Sequence, residues 1–237
     1  MPHDSASEGG VAEISLADRV VTAHSALMTR VVIADDHAVV RKGLRLILAD
    51  LTEIEVAGEA ASADELLAFL RTKRADAVIL DVGLGDRDGL EVLKHIRAEY
   101  PGIPVLIVSM HAEEIFAVRA FRAGASGYVE KSAPPEVLRE AVRAVAAGGT
   151  YISAAVAEQL RTDLARGSTD SLPHERLSDR EFEVFRLLGA GKSVTEIARA
   201  INLSVKTVST HRTRILAKTG LSTNADIVEY VAQNGLR

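Results

Sequence analysis

The sequence predicts a doubly wound α/β domain followed by a small all-helical domain, and three observations support this. Five short, β-branched apolar runs alternate with amphipathic stretches between residues 30 and 150. Such runs are typical of parallel strands buried on both faces, and their alternation with helices predicts a five-stranded parallel sheet covered on both sides. Residues 177–237 carry only helical patterns. The length of 237 residues fits one or two domains at about 150 residues each.

In the first domain each predicted strand is followed by a predicted helix. The strands are expected at 31–34, 54–57, 77–80, 105–108 and 127–129. The helices are expected at 38–50, 63–73, 88–99, 112–123 and 135–148. Glycines 148 and 149 are expected to end the fifth helix, since glycine commonly follows a helix.

The composition divides the chain into four parts. Residues 1–29 are rich in Ser, Ala, Gly and acids and are expected to form a disordered extension. Residues 30–150 form the α/β domain, and 151–176 a linker with a helix at 154–166. Residues 177–237 form the helical domain, with helices expected at 179–189, 194–200, 205–218 and 223–234. Two of these begin with capping boxes, Ser178 with Glu181 and Ser193 with Glu196, and Ser204 is expected to cap the next.

Composition and charge exclude several classes of protein. The absence of cysteine excludes disulfides, zinc–thiolate sites, iron–sulfur clusters and cysteine nucleophiles. No apolar stretch reaches the roughly 18 residues of a membrane helix, and no signal peptide is recognised, so we expect a cytoplasmic protein without membrane contact. The net charge of −5 argues against nucleic acid. However, residues 177–237 carry nine basic and six acidic side chains, which favours nucleic-acid binding there.

Charged and polar residues stand where four of the predicted strands end. Asp35 and Asp36 follow the first strand, Asp81 the third, Ser109 the fourth and Lys131 the fifth. Because the carboxyl ends of parallel strands share one edge of the sheet, these side chains are expected to converge. Clustered carboxylates need a cation, and Mg²⁺ prefers oxygen ligands. A carboxylate beside Mg²⁺ can act as nucleophile toward a phosphoryl group, whose charge lysine neutralises.

Taken singly, each of these residues has a plainer interpretation. An Asp or Ser at a strand end is often a helix cap or turn residue, and a lone lysine is often a solvated surface group. Their joint placement across five strand–helix units is far more specific.

The helix expected over 205–218 combines positive charge with short polar side chains. Its charged residues are all basic: Lys206, Arg212, Arg214 and Lys218. Helical spacing places Val208, Ile215 and approximately His211 inward, and Lys206, Ser209, Thr210 and Thr213 outward. A helix in the major groove needs short polar groups for base edges and cations for phosphates. The helix from Thr195 would then cross the DNA backbone, as in a helix-turn-helix. A solvated, charged helix face gives the same pattern.

Five segments of the first domain carry a shared set of motifs. They are Val32–His37, Val78–Asp81, Asp88–Leu90, Val108–His111 and Ala123–Lys131. With these segments, residues 30–150 resemble the receiver domain of response regulators. The resemblance implies a flavodoxin-like fold with strand order 2-1-3-4-5.

The resemblance also assigns roles to residues. It makes Asp81 the phosphoryl acceptor, and it makes Asp35, Asp36, Asp81 and the backbone carbonyl of Gly83 the ligands of Mg²⁺. It gives Ser109 the role of switch hydroxyl, Tyr128 that of the aromatic residue that moves with the switch, and Lys131 that of the phosphoryl-contacting lysine.

Two positions depart from the family pattern. The family usually has proline four residues after the acceptor, where this chain has Gly85 within Gly83–Asp86, and a more mobile loop is expected. The family also often has a proline after the lysine, frequently with a cis bond. Here Ser132 follows Lys131, and a cis bond before a residue other than proline would cost about 3 kcal/mol. Neither change removes a residue of the phosphorylation chemistry.

The helical domain carries a second set of motifs. They are Leu177–Glu181, Gly191–Ser193, Glu196–Ala198, Leu203–Val208, and the residues His211, Ile215 and Lys218. With them, residues 177–237 resemble the LuxR-type helix-turn-helix of NarL/FixJ response regulators. The resemblance gives Ser209, Thr210 and Thr213 base-reading positions, and it makes Lys206, Thr207, Arg212, Arg214 and Lys218 further DNA-contacting residues. The segment Ala225–Tyr230 resembles the family's dimerising helix, although plain core packing explains it equally well.

Both resemblances together imply a transcription regulator that is not an enzyme. A sensor histidine kinase or a small phosphodonor would phosphorylate Asp81, and phosphorylation would favour a homodimer on promoter half-sites of double-stranded DNA, with RNA polymerase as a further candidate partner. In this family the unphosphorylated receiver often covers the recognition helix, which phosphorylation would free.

Three alternatives remain open at this point. The receiver could be independent of phosphorylation, leaving a constitutive DNA-binding regulator. Aspartate-based phosphatases also place an Asp after a strand, but they need an acid two residues later, where this chain has Gly83. A flavodoxin-like cofactor domain would need a phosphate-binding loop after the first strand, where Asp35 and Asp36 would repel phosphate without a metal.

Overall fold

The structure is a computed structural model, which describes residues 28–84, 88–111, 113–165, 172–201 and 203–236. Nearly all of the predicted N-terminal extension lies outside these residues. So does Gly85, the first departure from the family pattern. None of the helices in the described ranges is long and apolar enough to cross a membrane.

The first domain contains the predicted five-stranded parallel sheet. Its strands are β1 (Thr29–Ala34), β2 (Ile54–Ala60), β3 (Ala77–Leu80), β4 (Val105–Ser109) and β5 (Gly127–Glu130). Each neighbouring pair is parallel, and the order β2-β1-β3-β4-β5 confirms the predicted topology. Strand β2 runs three residues beyond its predicted end, because Gly58 and Glu59 pair with β1 despite their low strand propensity.

Helices cover both faces of the sheet, as the alternating pattern predicted. They are α1 (Ala38–Leu48), α2 (Ala63–Thr72), α3 (Gly89–Glu99), α4 (Glu113–Arg122) and α5 (Pro135–Ala146). Leucines and other apolar residues of α2, α3 and α4 form one buried cluster with alternate strand residues such as Val32 and Leu80. Those of α1 and α5 form a second cluster with Ile33 and Ile79. The strands are therefore buried on both faces, which explains their unbroken apolar runs.

The described residues from Ala154 onward are helical. They contain α6 (Ala154–Ala165), a 3₁₀ turn (Pro173–Arg176), α7 (Asp179–Gly189), α8 (Val194–Ala200), α9 (Val205–Thr219) and α10 (Asn224–Gln233). The capping boxes at Ser178 and Ser193 are both present, and Ser204 caps α9 by accepting from the N–H of Thr207. The 3₁₀ turn was not predicted, because its Pro-His-Glu-Arg sequence lies in a stretch with the composition of a linker.

The two domains touch through α4 and the segment 173–185. Arg119 of α4 donates hydrogen bonds to the backbone carbonyls of His174 and Leu177. Its guanidinium also lies 4.5 Å from the ring centroid of Phe182. Arg122, one turn along α4, forms an ion pair with Glu175. The first domain therefore packs on the start of the helical domain.

The outward face of α9 is not the surface that α4 contacts. Ser209, Thr210 and Thr213 are exposed in this structure. This differs from the family arrangement in which the receiver covers the recognition helix.

Candidate functional sites

The carboxylates and the lysine predicted at the strand ends meet at one edge of the sheet. Lys131 Nζ lies 2.6 Å from Asp35 Oδ2 and 2.7 Å from Asp81 Oδ2. Asp35 follows β1 and Asp81 follows β3, and these two strands are hydrogen-bonded neighbours. The backbone N–H of Asp81 donates to the carbonyl of Ala34, which fixes the two strand ends side by side. The predicted convergence is therefore present, with both aspartates buried.

Burial sets the electrostatics of this cluster. It raises the pKa of Asp81 above its ordinary value, although Lys131 acts in the opposite direction. Burial also disfavours the charged ammonium of Lys131, but Asp81 and Asp35 outweigh that effect and the pKa of Lys131 is raised. With Asp36 beside them, three carboxylates face one ammonium group, so the cluster has an excess of negative charge that a cation would offset.

The donor set fits a divalent cation. Asp35, Asp36, His37 and Asp81 each offer one ligand atom, and these atoms lie within 4.8 Å of one another. Asp36 is exposed, so the cluster is open to solvent. Three carboxylates of this kind match the oxygen ligands of Mg²⁺, which keeps several waters in such sites.

The loop after β3 is held close to the carboxylate of Asp81. The backbone N–H of Gly83 favours the charged form of Asp81 and so acts against the effect of burial on its pKa. A Cβ atom on Gly89 would lie 2.5 Å from Val82 Cα and 2.7 Å from the carbonyl oxygen of Asp81, so no larger side chain fits at this position without movement of the loop. Asp88 caps α3 by accepting from the N–H of Leu90 at 3.0 Å. The start of α3 therefore packs directly on the Asp81 loop.

Ser109 and Tyr128, the predicted switch residues, are both buried and both bond to His111. Ser109 Oγ accepts from the backbone N–H of His111 at 3.2 Å. Tyr128 donates its hydroxyl hydrogen to the His111 carbonyl at 2.8 Å. Sequence reasoning gave His111 no role, and its position two residues after Ser109 was the available signal. The backbone of His111 therefore links the two predicted switch residues.

The side chain of His111 faces the other domain. Its ring stacks on Phe116 with the centroids 4.0 Å apart, and its Nε2 lies 4.0 Å from Glu183 Oε1 of α7. Burial lowers the pKa of His111, although Glu183 acts in the opposite direction.

Ser132, the second departure from the family pattern, lies beside Lys131 on an ordinary trans backbone. The described residues contain no cis peptide bond. The hydroxyl of Ser132 donates to Glu130 Oε2 at 3.0 Å, while the backbone N–H of Lys131 donates to the Ser109 carbonyl at 2.7 Å. This second bond continues the β4–β5 ladder and holds the lysine over the site.

Helix α9 presents most of the predicted DNA-contacting residues to solvent. The exposed ones are Lys206, Thr207, Ser209, Thr210, Thr213, Arg214 and Lys218. Val208 and Ile215 are fully buried, as predicted, and His211 is half-buried. The helix therefore has the expected inward and outward faces.

Two of the predicted DNA-contacting residues also form contacts within the helical domain. Lys218 Nζ lies 2.6 Å from Glu181 Oε2, so the lysine is tied to the capping box of α7. Arg212 is half-buried, and its Nε donates to Asn224 Oδ1 at 2.6 Å. The sequence pattern of α9 alone did not reveal these partners, because both lie on other helices.

A parallel sheet with a buried Asp–Lys–Asp cluster at one edge, joined to a basic helix-turn-helix, defines a response regulator with a DNA-binding output domain. Residues 31–143 match the response regulator receiver domain, and residues 175–231 match the bacterial regulatory proteins of the luxR family. The chain belongs to the NarL/FixJ family of two-component response regulators, which are DNA-binding transcription regulators.

Individual relatives cover almost the whole chain. The response regulator UvrY of Escherichia coli is 31% identical over 209 residues, which are 88% of this chain and 96% of UvrY. The response regulator GacA of Pseudomonas viridiflava is 34% identical over 209 residues, 88% of this chain and 98% of GacA.

A solved structure shows the same architecture. RcsB of Salmonella enterica serovar Typhimurium, bound to the promoter rprA in the presence of a phosphomimetic, is 28% identical with a TM-score of 0.56. That similarity covers 86% of this chain and 98% of RcsB.

Proposed function

We propose that this protein is a phosphorylation-dependent transcription regulator whose phosphoryl acceptor is Asp81. The observation that carries the proposal is the position of Lys131 Nζ between Asp35 and Asp81, in the same chain as an exposed basic helix α9. The phosphoryl donor is a sensor histidine kinase or a small acyl phosphate. As a promoter-binding regulator the protein acts in the cytoplasm, with RNA polymerase as a further partner.

In the transfer step a carboxylate oxygen of Asp81 attacks the phosphorus atom. A P–O bond to Asp81 forms, and the P–N bond of phosphohistidine, or the P–O bond of acetyl phosphate, breaks. The electron pair of the broken bond leaves with the imidazole or the acetate. Lys131, already 2.7 Å from the acceptor carboxylate, neutralises charge on the phosphoryl oxygens. The protein is consumed as an acceptor in this step, so we propose that it has no enzymatic turnover of its own.

Asp35, Asp36 and Asp81, with the backbone carbonyl of Gly83, would hold Mg²⁺. When bound, the cation offsets the negative charge that the carboxylates share with the phosphoryl group. The carboxylates of Asp35 and Asp36 would hold the cation at the end of β1, next to the carboxylate of Asp81.

Ser109 connects this chemistry to the rest of the molecule. Its hydroxyl now accepts from the His111 N–H, and in the phosphorylated protein it would turn to donate to a phosphoryl oxygen. The loss of the His111 bond would release the backbone that Tyr128 also holds. A local charge change at Asp81 would thereby reach the α4 surface, the kind of readout that phosphorylation switches use.

Helix α9 would contact both the base edges and the phosphate groups of DNA. Ser209, Thr210 and Thr213 reach base edges in the major groove. Phosphate contacts come from Lys206, Thr207, Arg212, Arg214 and Lys218. A homodimer, formed on phosphorylation or on DNA, would place two such helices on paired half-sites.

The acceptor assignment is tested by incubating the full chain with acetyl phosphate and Mg²⁺. An acid-stable, base-labile adduct is expected, and it should be absent from Asp81→Asn. Persistence of the adduct in that variant would refute the assignment.

The switch is tested by measuring promoter affinity with and without beryllofluoride. A tighter complex with beryllofluoride is expected from the wild type and not from Asp81→Asn. Equal affinity in both conditions would instead favour a constitutive DNA-binding regulator.

A further inference from the structure

We propose that His37 is a positioning residue that holds the two metal-binding carboxylates at the end of β1. Its ring Nδ1 lies 2.5 Å from Asp36 Oδ1 and 3.4 Å from Asp35 Oδ1. Its backbone N–H donates to Asp35 Oδ1 at 2.8 Å. A single residue therefore contacts both adjacent aspartates, one through the ring alone and the other through ring and backbone. This inference rests on the Mg²⁺ site proposed above.

The ring of His37 contacts the aspartates instead of capping α1, which is the usual role of a side chain at this position. His37 is the N-cap of α1, where a Ser, Thr, Asp or Asn side chain would accept from the first free N–H groups of the helix. The extended backbone of His37, with φ −90° and ψ 109°, suits a cap, yet its side chain makes no capping hydrogen bond. The ring turns to Asp36 instead. The sequence placed His37 in the receiver motif without giving it a function.

Asp36 needs a positioning residue because its side chain is less constrained by its surroundings than that of Asp35. The side chain of Asp35 is 2% exposed and faces Lys131, whereas that of Asp36 is 32% exposed. Two neighbouring carboxylates also repel each other. A ring N–H shared between them offsets this repulsion and limits the rotamers of Asp36. Hydrogen bonds to metal-binding groups matter in this way, and their loss typically lowers metal affinity by about 10–100-fold.

The geometry favours positioning over direct coordination. Nδ1 is the nitrogen nearest the carboxylates, and we assign a ring hydrogen to it because it lies 2.5 Å from Asp36 Oδ1. A donor nitrogen has no lone pair to give to a metal. Direct coordination would also change metal preference, since imidazole suits transition metals while Mg²⁺ takes oxygen ligands.

The experiment is a calorimetric titration of the full chain with Mg²⁺ and, separately, with Mn²⁺, without any phosphodonor. His37→Ala should raise the Kd of both ions by about 10–100-fold and by similar factors. His37→Asn, whose side-chain amide can donate from nearly the same place, should recover most of the affinity. His37→Ser, a good N-cap that is too short to reach Asp36, should stay weak. His95→Ala removes a half-buried histidine far from the aspartates, whose Nε2 lies 3.3 Å from Glu99 Oε1 on α3, and should change neither Kd.

Each other outcome overturns the inference in a recognisable way. Unchanged Kd values for His37→Ala would show that the ring does not matter. Full recovery in His37→Ser would show that helix capping, not the aspartate contact, is the cause. A much larger loss for Mn²⁺ than for Mg²⁺ would make His37 a ligand. A wild-type chain that binds neither ion would refute the proposed metal site itself, independently of the acetyl phosphate result for Asp81.

Discussion

Phe116 of the receiver domain and Phe182 of the DNA-binding domain meet edge to face, with their ring centroids 5.3 Å apart. Both side chains are almost fully buried. Phe116 also stacks on His111, whose backbone bonds to Ser109 and Tyr128. The predicted switch residues are therefore linked to α7 of the other domain through His111 and Phe116.

The interface should depend strongly on Arg119. This side chain donates to the carbonyls of His174 and Leu177 and lies over the ring of Phe182. Hydrogen bonds from charged groups are worth about 1.5–3 kcal/mol each, so Arg119→Ala should lower the free energy of unfolding by about 2 kcal/mol or more. Urea denaturation followed by circular dichroism measures this loss. Arg71→Ala, which removes an exposed arginine of α2, should be neutral. Equal stabilities of the two variants would contradict the docking seen here.

Gly89 should be essential for the loop that holds Asp81. A Cβ at this position would lie 2.6 Å from the Val82 carbonyl oxygen, so Gly89→Ala must displace the backbone next to Asp81. We expect a loss of stability of about 1–3 kcal/mol, as for other overpacked sites, and slower phosphorylation by acetyl phosphate. Gly43→Ala is the matched control, because a Cβ there meets nothing within 4 Å and α1 should gain up to about 1 kcal/mol. Gly89→Ala behaving like Gly43→Ala would refute the close packing.

Lys131 should stabilise the unphosphorylated site by pairing with two buried carboxylates. Removing one partner of a buried ion pair commonly costs about 3–5 kcal/mol, and Lys131→Met is expected in this range. Replacing Asp81 by Asn in the same chain should return part of the loss, since it removes one of the unpaired charges. A double-mutant cycle from thermal unfolding measures this coupling. Additive effects would show that Lys131 and Asp81 do not interact.

Much of the fold could be predicted because it depends on local patterns. The apolar runs identified all five strands. Because parallel strands present ligands at their carboxyl ends, the sequence also predicted that Asp35, Asp81 and Lys131 lie close together, as they do. The polar end of β2 escaped prediction, since Gly58 and Glu59 are strand residues only through their pairing with β1.

Contacts between distant segments could not be predicted in this way. Arg119 is followed 55 residues later by His174, whose carbonyl it binds, and Lys218 lies 37 residues after Glu181. Periodicity shows which face of a helix points inward but not which residue it meets there. Consequently the sequence showed Lys218 only as a cation of α9, and its ion pair with the capping box of α7 appears only in the structure.

Lys206 of the DNA-binding helix should contribute to DNA binding through a contact with a phosphate group. Lys206 is exposed near the start of α9, so Lys206→Ala should weaken promoter binding at all sequences and reduce the slope of log affinity against log salt by about 1. Fluorescence anisotropy at several salt concentrations measures both. Lys42→Ala removes an exposed lysine of α1 in the receiver and should leave the slope unchanged. Identical slopes for the wild type and Lys206→Ala would place the DNA elsewhere.

Glu181 should make the stability of the DNA-binding domain sensitive to acid. Burial raises its pKa, but the bonds from Lys218 and Ser178 outweigh this, and the pKa falls below the ordinary value of 4.5. The folded state therefore binds this proton less tightly than the unfolded state. The stabilisation is complete above the ordinary value and is lost as the pH falls through the folded-state pKa.

The measurement is urea denaturation of the wild type and Glu181→Gln at about pH 6 and about pH 3.5. At the higher pH the variant should be less stable by about 1–3 kcal/mol, because the bonds from the Lys218 ammonium and the Ser178 N–H to a charged carboxylate are weakened. At the lower pH Glu181 becomes protonated on unfolding and the gap should shrink. Lys218→Met raises the folded-state pKa of Glu181 toward its ordinary value, so the acid-dependent loss of stability should be smaller and should be complete at a higher pH than in the wild type. A gap that is constant with pH would mean that the charge of Glu181 does not stabilise the capping box.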